Sequence, residues 1–277
     1  MPARIAVLFL FATLSFDIGV FAEDFDARLG AVSGKTTLLT EGGSGSGDAR
    51  EGTPLSPGDM IRTGENASAE ITMDDGAILK VGPDSSLKIS SLGRSSGSFF
   101  LDMGSLVAKI QGLLKQKMER LEVRTPAAVA AVRGTEFCVE HDKQANETTA
   151  GVFDEGKLSV SALDPEGNAV AESVVDQGNE VSLRAGDREV KPVRMQRLLR
   201  RREHIAAMRT RLGALRKSWK KISAAKRMKL RERIIKRKAM LPARAGKGRA
   251  AMMHRSGRPA GAGHTTPPAR VKRRGVR

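Results

Sequence analysis

The stretch Leu121–Glu140, LEVRTPAAVAAVRGTEFCVE, decides the fold. Leu121, Val123 and Thr125 alternate with Arg120, Glu122 and Arg124, the period of two of a half-buried strand. Pro126 has no N–H to donate and ends the pairing. Ala127–Val132 is small and apolar, suited to a close approach beneath other strands. Gly134 permits a backbone angle that other residues resist, so Arg133-Gly134-Thr135 reads as a tight corner. Phe137 and Val139 then return to one face, with Glu136, Cys138 and Glu140 on the other.

Short strands closed by turns continue on both sides. Lys35–Thr40 reads as a first strand, after a lead-in over Glu23–Gly34. Pro57-Gly58-Asp59 turns into Met60–Thr63, and Ala69, Ile71 and Met73 share a face. Asp74-Asp75-Gly76 predicts a hairpin, because Asp-Gly supplies the positive-φ residues of a two-residue loop. Phe99–Met103 and Leu106–Ile110 read as two strands about Gly104, and Thr148–Phe153 with Lys157–Ala162 as a hairpin about Glu155-Gly156. Leu55-x-x-Gly58-x-x-Ile61 is echoed by Val175-x-x-Gly178-x-x-Val181, through a wound repeat or a coincidence of turn chemistry. The pattern predicts an all-β, antiparallel sandwich or roll, jelly-roll-like or wound, over residues 23–190.

Charge divides the chain. Residues 191–277 hold 30 Lys+Arg against Glu203 and Glu232, a net of +28. Residues 1–190 hold 18 basic against 29 acidic residues, a net of −11. An acidic body therefore carries a cationic extension. In that extension Leu198, Ile205, Leu212 and Trp219 recur every seven residues, with Met208, Leu215 and Ile222 in a second row. This narrow apolar stripe predicts a basic amphipathic helix over 191–242, started at Pro192 and stopped at Pro242, with the stripe as its contact surface. Beyond Ile222 the stripe slips in register. Residues 243–277 read as a disordered basic tail.

Residues 1–22, MPARIAVLFLFATLSFDIGVFA, have the short positive start, apolar centre and small final residues of a secretory signal cut after Ala22. An uncleaved anchor is the rival, but Asp17 interrupts an apolar run shorter than the ~20 residues a span needs. The predicted location is the periplasm or cell envelope. The single Cys138 excludes an internal disulfide and reads as a thiol packed under a neighbour rather than one that pairs between chains.

The run Thr125-Pro126-x-Ala128-x-x-Ala131-Val132-Arg133-Gly134-Thr135-x-Phe137 resembles the central motif of the FecR-type domain. Gly58-Asp59-x-Ile61-x-Thr63-Gly64, Asp75-Gly76, Gly104-x-Leu106 and Gly151-x-Phe153-x-x-Gly156 extend the resemblance over roughly residues 50–185. It implies an exported all-β domain, in a family whose best-known members relay an iron-chelate signal to a sigma factor. Such regulators carry a cytoplasmic segment ahead of a membrane span. Here only Met1–Arg4 precede the apolar run, so the resemblance is expected to cover fold and location rather than a direct sigma-factor contact.

Arg133-Gly134-Thr135 is the candidate ligand contact, weighed against a purely structural corner. Asp74-Asp75, Asp154-Glu155 and Asp84 lack the spacing of a calcium loop and read as solvated turn carboxylates. His141, His204, His254 and His264 are scattered, and His141 is the one near Cys138 in sequence. No catalytic set, metal site or cofactor is expected.

The extension invites a counter-charge, because Arg197/Arg201, Arg227/Arg231 and Arg233/Arg237 are like-charge pairs one helical turn apart. Its candidate partners are anionic lipid or polymer of the envelope, another envelope protein, a second copy of the chain, nucleic acid, or the acidic body itself. Export and a single Trp argue against nucleic acid in the cell, although charge predicts binding to it in vitro. The expected function is a non-catalytic envelope module, with signalling through another envelope protein as the alternative.

Overall fold

A computed structural model describes residues 25–41, 46–74, 76–93, 96–110, 120–132 and 134–239. The predicted signal segment, Asp75, Arg133 and the tail 243–277 lie outside the described residues. In the first half of the body the strands are β1 (Ala27–Ser33), β2 (Thr36–Leu39), β3 (Ser46–Asp48), β4 (Met60–Thr63), β5 (Ser68–Met73), β6 (Ala77–Val81), β7 (Ser86–Leu92) and β8 (Ser96–Ile110). In the second half they are β9 (Arg120–Arg124), β10 (Ala128–Val132), β11 (Glu136–Asp142), β12 (Glu147–Val152), β13 (Leu158–Leu163), β14 (Ala169–Val175), β15 (Asn179–Arg184) and β16 (Val193–Arg194). A 3₁₀ turn, Leu198–Arg201, leads into α1 (Arg202–Ser218), and α2 (Ala224–Ala239) follows.

The strands form two sheets that share β8. Sheet I runs β1-β5-β6-β8-β11-β12-β15-β16, and sheet II runs β3-β2-β4-β7-β8-β9-β10-β13-β14. Residues before Gly104 pair with β7 and β9, and those from Gly104 onward pair with β11 and β6. Among the described strands every pairing is antiparallel except that of β8 with β9. Gly104 makes the crossing at φ 94°. A Cβ there would stand 2.5 Å from the Ser85 Cα, so the position needs a glycine both for its angle and for its space. The predicted all-β class holds, and one strand replaces the two expected about Gly104.

The inner faces share one core. Leu29, Ile71, Leu79, Leu106, Phe137 and Val139 come from sheet I, and Ile61, Leu87, Phe99, Leu121, Val123 and Val160 from sheet II. The alternation read over 136–140 is observed: Phe137 and Val139 enter this core, while Cys138 joins a second cluster on the outer face of sheet I. That cluster contains Ile78, Val107 and Phe153 from the sheet and Leu198, Ile205, Met208 and Leu212 from the extension.

Several local expectations change. Ala27–Ser33 is a strand, not a lead-in; Gly30 and a register shift between Leu29 and Val32 hide its period. Ala128–Val132 is a full strand between β9 and β13, because pairing on both edges outweighs the low strand propensity of alanine. The expected hairpin about Gly156 is absent. β12 pairs with β11 and β15, while β13 pairs with β10 and β14, so the turn carries the chain from sheet I to sheet II. The two echoing segments each place a left-handed glycine, Gly58 at φ 87° and Gly178 at φ 72°, ahead of a strand, β4 and β15.

The extension is two helices rather than one. After Pro192 the chain stays extended and Val193–Arg194 pairs with β15. At Trp219 the backbone becomes extended again, ψ 118°. Trp219 and Ile222 therefore leave the helical stripe. The Arg28 guanidinium stacks 4.4 Å from the Trp219 ring centroid and donates to the Lys220 carbonyl, while the Asp26 carboxylate accepts the Ile222 N–H at 3.1 Å. These contacts with β1 override the heptad spacing.

Candidate functional site

Strand alternation sets Glu136 and Glu140 of β11 on the outer face of sheet I, beside Cys138. Lys109 on β8 is opposite Glu136 in register, and Glu180 on β15 is opposite Gly151. Glu147, on β12, and Asp154, just past it, extend the acidic face. The first turn of the extension and α1 lie across it.

Glu180 is buried and receives the chain as it leaves the sheet. Its Oε1 accepts the backbone N–H groups of Gln196 at 3.2 Å and Arg197 at 3.0 Å, and its Oε2 accepts that of Leu198 at 3.0 Å. These are donors that a helical start leaves without intrahelical partners. One carboxylate thus caps the 3₁₀ turn that no neighbouring side chain caps.

The arginines then fall opposite carboxylates in order. Arg197 reaches Glu147, Arg200 and Arg201 both reach Glu140, and Arg202 reaches Asp154. Arg209 forks between Glu136, with Nε 2.6 Å from Oε1, and Asp154 at 2.7 Å. Arg211 stands 3.0 Å from Glu70. Lys109, 3% exposed at its side chain, completes the centre at 2.7 Å from Glu136, which is fully buried, and also meets Glu155. A buried carboxylate between two cations is the arrangement in which removing one partner strands a charge.

Farther along, α2 meets the body again near Pro54 and Asp59. Arg231 donates through Nη1 to Asp59 at 2.6 Å and to the Pro54 carbonyl at 3.2 Å. Lys221 stands 3.2 Å from Asp74. Of the counter-charges open to the extension, the acidic body therefore takes a large share. The like-charge pair Arg197/Arg201 is eased because its members face different carboxylates, Glu147 and Glu140, the latter shared with Arg200.

The geometry sets the protonation states. Burial pulls the Glu136 carboxyl upward, but hydrogen bonds from Arg209 and Lys109 outweigh it and hold it below the usual glutamate value. The Arg209 hydrogen bond is the largest effect on Asp154 and lowers it; burial opposes it, and a hydrogen bond from Arg202 adds to the lowering. Burial lowers both His141 and His204. Each shift makes the folded state release protons more readily than the unfolded chain, so stability falls as pH falls. A small loss is expected below about pH 6.5 from the two histidines. The larger one comes below about pH 4, as protons reach Glu136 and Asp154. Emission from Trp219, which sits at the end of α1, is expected to follow the larger step. Release of the extension with a single midpoint near pH 6 would contradict the carboxylate assignment.

The described residues of the sequence-predicted motif, all but Arg133, lie beside this platform. Thr125 Oγ1 accepts the Ala128 N–H at 2.9 Å, donates to the Ala128 carbonyl at 3.1 Å, and lies 2.7 Å from the Thr148 hydroxyl. Thr148 in turn meets His141 Nδ1 at 3.0 Å. Pro126 and Ala127 form the bend between β9 and β10, Ala128 and Val132 bound β10, and Phe137 is in the core. Gly134 takes φ 59°, with no atom within 4 Å of where a Cβ would be. Thr135 Oγ1 donates to the Lys157 carbonyl at 3.3 Å. Replacing Thr125 by valine leaves the buried Ala128 N–H without its acceptor, with an expected loss of about 1–3 kcal/mol by urea denaturation. An unchanged midpoint would show that this bend does not depend on the hydroxyl.

His141 and Cys138 fall on opposite faces of β11, so they do not form a pair. Cys138 is covered by the extension, and burial, with a smaller push from Glu140, raises its thiol well above the ordinary value. Among the described residues no group of three or more His, Cys, Asp or Glu could hold a metal ion, and no helix is long and apolar enough to cross a membrane. Sequence reading named the apolar contacts Leu198, Ile205, Leu212 and Leu215 but not their carboxylate neighbours. The signal available was the pair of glutamates flanking Cys138 on the non-core face of one strand.

Residues 59–157 match the family described as FecR protein. Two crystal structures of "a putative anti-sigma factor from Parabacteroides distasonis ATCC 8503" are similar at 14% identity and a TM-score of 0.40. Each match covers 50% of this chain and 61% of that one. No curated protein matches.

Proposed function

We propose that this chain, whose residues 59–157 match the FecR family, is a regulator of the FecR type that acts by protein recognition in the cell envelope. Its β body would be the recognition module. The extension through α1 would be an intramolecular clamp on sheet I rather than a free arm. The observation that carries this reading is the order of ion pairs from Arg197 to Arg209 along the outer face of sheet I, which leaves α1 little charge for an outside surface. Residues 241–277, with ten Lys+Arg and no acidic residue, and the exposed Lys226, Lys229 and Arg233 of α2 carry charge that could seek an anionic surface.

The reading is tested by capturing the tagged full-length protein from its envelope fraction and washing at rising salt. A protein partner held through the β body is expected to survive ionic strengths that screen exposed charges, at Debye lengths of about 3 Å near 1 M salt. Complete loss of all partners in that wash, with binding only to anionic vesicles, would favour attachment over recognition. The mass of the recovered chain tests export separately: a start at Glu23 is expected, and an intact Met1 in the cytosol would contradict it.

A further inference from the structure

Beside the clamp, a cleft of about 290 Å³ opens between sheet I and the start of α1. Lys80, Arg201, His204, Ser68, Asn66 and Ser105 line it. Val107 and Pro83 supply apolar surface. Among the described residues no carboxylate lines it.

Its electrostatics are unbalanced. Lys80 Nζ lies 3.4 Å from His204 Nδ1, so an ammonium ion faces an imidazole that serves it only when neutral. Glu70, directly across from Lys80 in the β5–β6 ladder, is engaged by Arg211. Glu140 is shared by Arg200 and Arg201 and so holds two cations with one charge. Of the acids near His204, Glu203 acts against the depression caused by burial, Lys80 and Arg201. Ser105 is 3% exposed and its hydroxyl is buried without a hydrogen-bond partner. An orphaned hydroxyl and a cation pair short of counter-charge, in one concave site with an apolar wall, are the elements of a small-ligand site.

We propose that this cleft binds a small organic anion, its phosphate or carboxylate group held by Lys80, Arg201 and protonated His204, and its remainder against Pro83 and Val107. This site is independent of the recognition reading above. It also joins β6 of the body to the first residues of the clamp, so an occupant would strengthen α1 docking.

The test is an NMR titration of His204 in the full-length protein with inorganic phosphate, with acetate, and with sodium chloride at matched ionic strength. At saturating anion the midpoint of His204 is expected to rise by about one pH unit beyond the chloride control, a tenfold preference for the charged ring. The phosphate and acetate arms decide which oxyanion is preferred, and a rise with either supports the site. Lys80→Gln, a half-exposed position, is expected to raise the starting midpoint and to remove most of the anion-induced rise. Equal shifts in chloride and in both oxyanions would reduce the effect to screening and overturn the proposal. An undiminished phosphate response in Lys80→Gln would overturn it as well.

Discussion

Replacing Gly104 by valine is expected to destabilise the domain by at least about 3 kcal/mol, read as a lower urea midpoint at unchanged slope. Two costs coincide there. The residue sits at φ 94°, a region closed to β-branched side chains, and a Cβ would meet the Ser85 backbone at 2.5 Å. The position also does architectural work, because β8 leaves sheet II and enters sheet I at this residue. A shift that relieved the clash would move β6 and β11 relative to β7 and β9. Gly134 is the internal comparison. It is also left-handed, at φ 59°, yet nothing stands within 4 Å of its absent Cβ. Gly134→Ala is therefore expected to cost only about 1–2 kcal/mol, from the backbone alone. Equal losses at the two sites would show that space at the crossing is not the deciding factor.

The second large effect is expected at Glu136. Glu136→Gln keeps the shape but removes the charge that Lys109 and Arg209 share. Breaking a buried pair from one side costs about 3–5 kcal/mol in other proteins. Here Glu155 still faces Lys109 and Asp154 still faces Arg209, so the loss is expected near the lower figure. The pH dependence carries the sign. The Glu136 carboxyl titrates below its ordinary value, so its contribution is present at neutral pH and is lost as pH falls through that lowered value. Wild type and variant are therefore expected to differ at pH 7 and to converge in acid. A gap that stayed constant with pH would assign the loss to packing rather than to charge. A double-mutant cycle with Arg209→Gln isolates the cross-clamp share of the coupling.

What could be read from residues alone follows from the range of the signal. Period-two alternation is local, and over 136–140 it separated the core residues Phe137 and Val139 from Cys138 correctly. Turn chemistry is local too. β5 and β6 do pair as a hairpin, with three residues rather than two between them and Gly76 at φ 85°, and Gly58 and Gly178 do take left-handed angles ahead of strands. Partner choice is not local. Gly156 has the φ of a hairpin glycine, 87°, yet its flanking strands lie in different sheets. Ala128–Val132 has no alternation to display, since its strand character comes from neighbours on both edges. The extension shows the same division. Its seven-residue stripe predicted burial of Leu198, Ile205 and Leu212, which the sheet covers. The break at Trp219 depends on Arg28 and Asp26, nearly two hundred residues earlier in the chain, and no helical period encodes it. The acidic platform was hidden for a related reason. Glu136 and Glu140 of β11, Glu147 and Asp154 at the ends of β12, and Glu180 of β15 come from three segments, and only the sheet brings them beneath the 3₁₀ turn and α1.

The central claim is that α1 is held on the outer face of sheet I in the free protein. Cys138, the single cysteine, lies under that helix and makes the claim directly measurable. The rate of thiol labelling in the native full-length protein is expected to be far below that of the same chain in denaturant. It should rise by more than tenfold in Glu136→Gln, which loosens the clamp by at least the ~1.4 kcal/mol that a factor of ten represents. A native thiol that labels as fast as in denaturant, with no response to Glu136→Gln, would contradict the clamp.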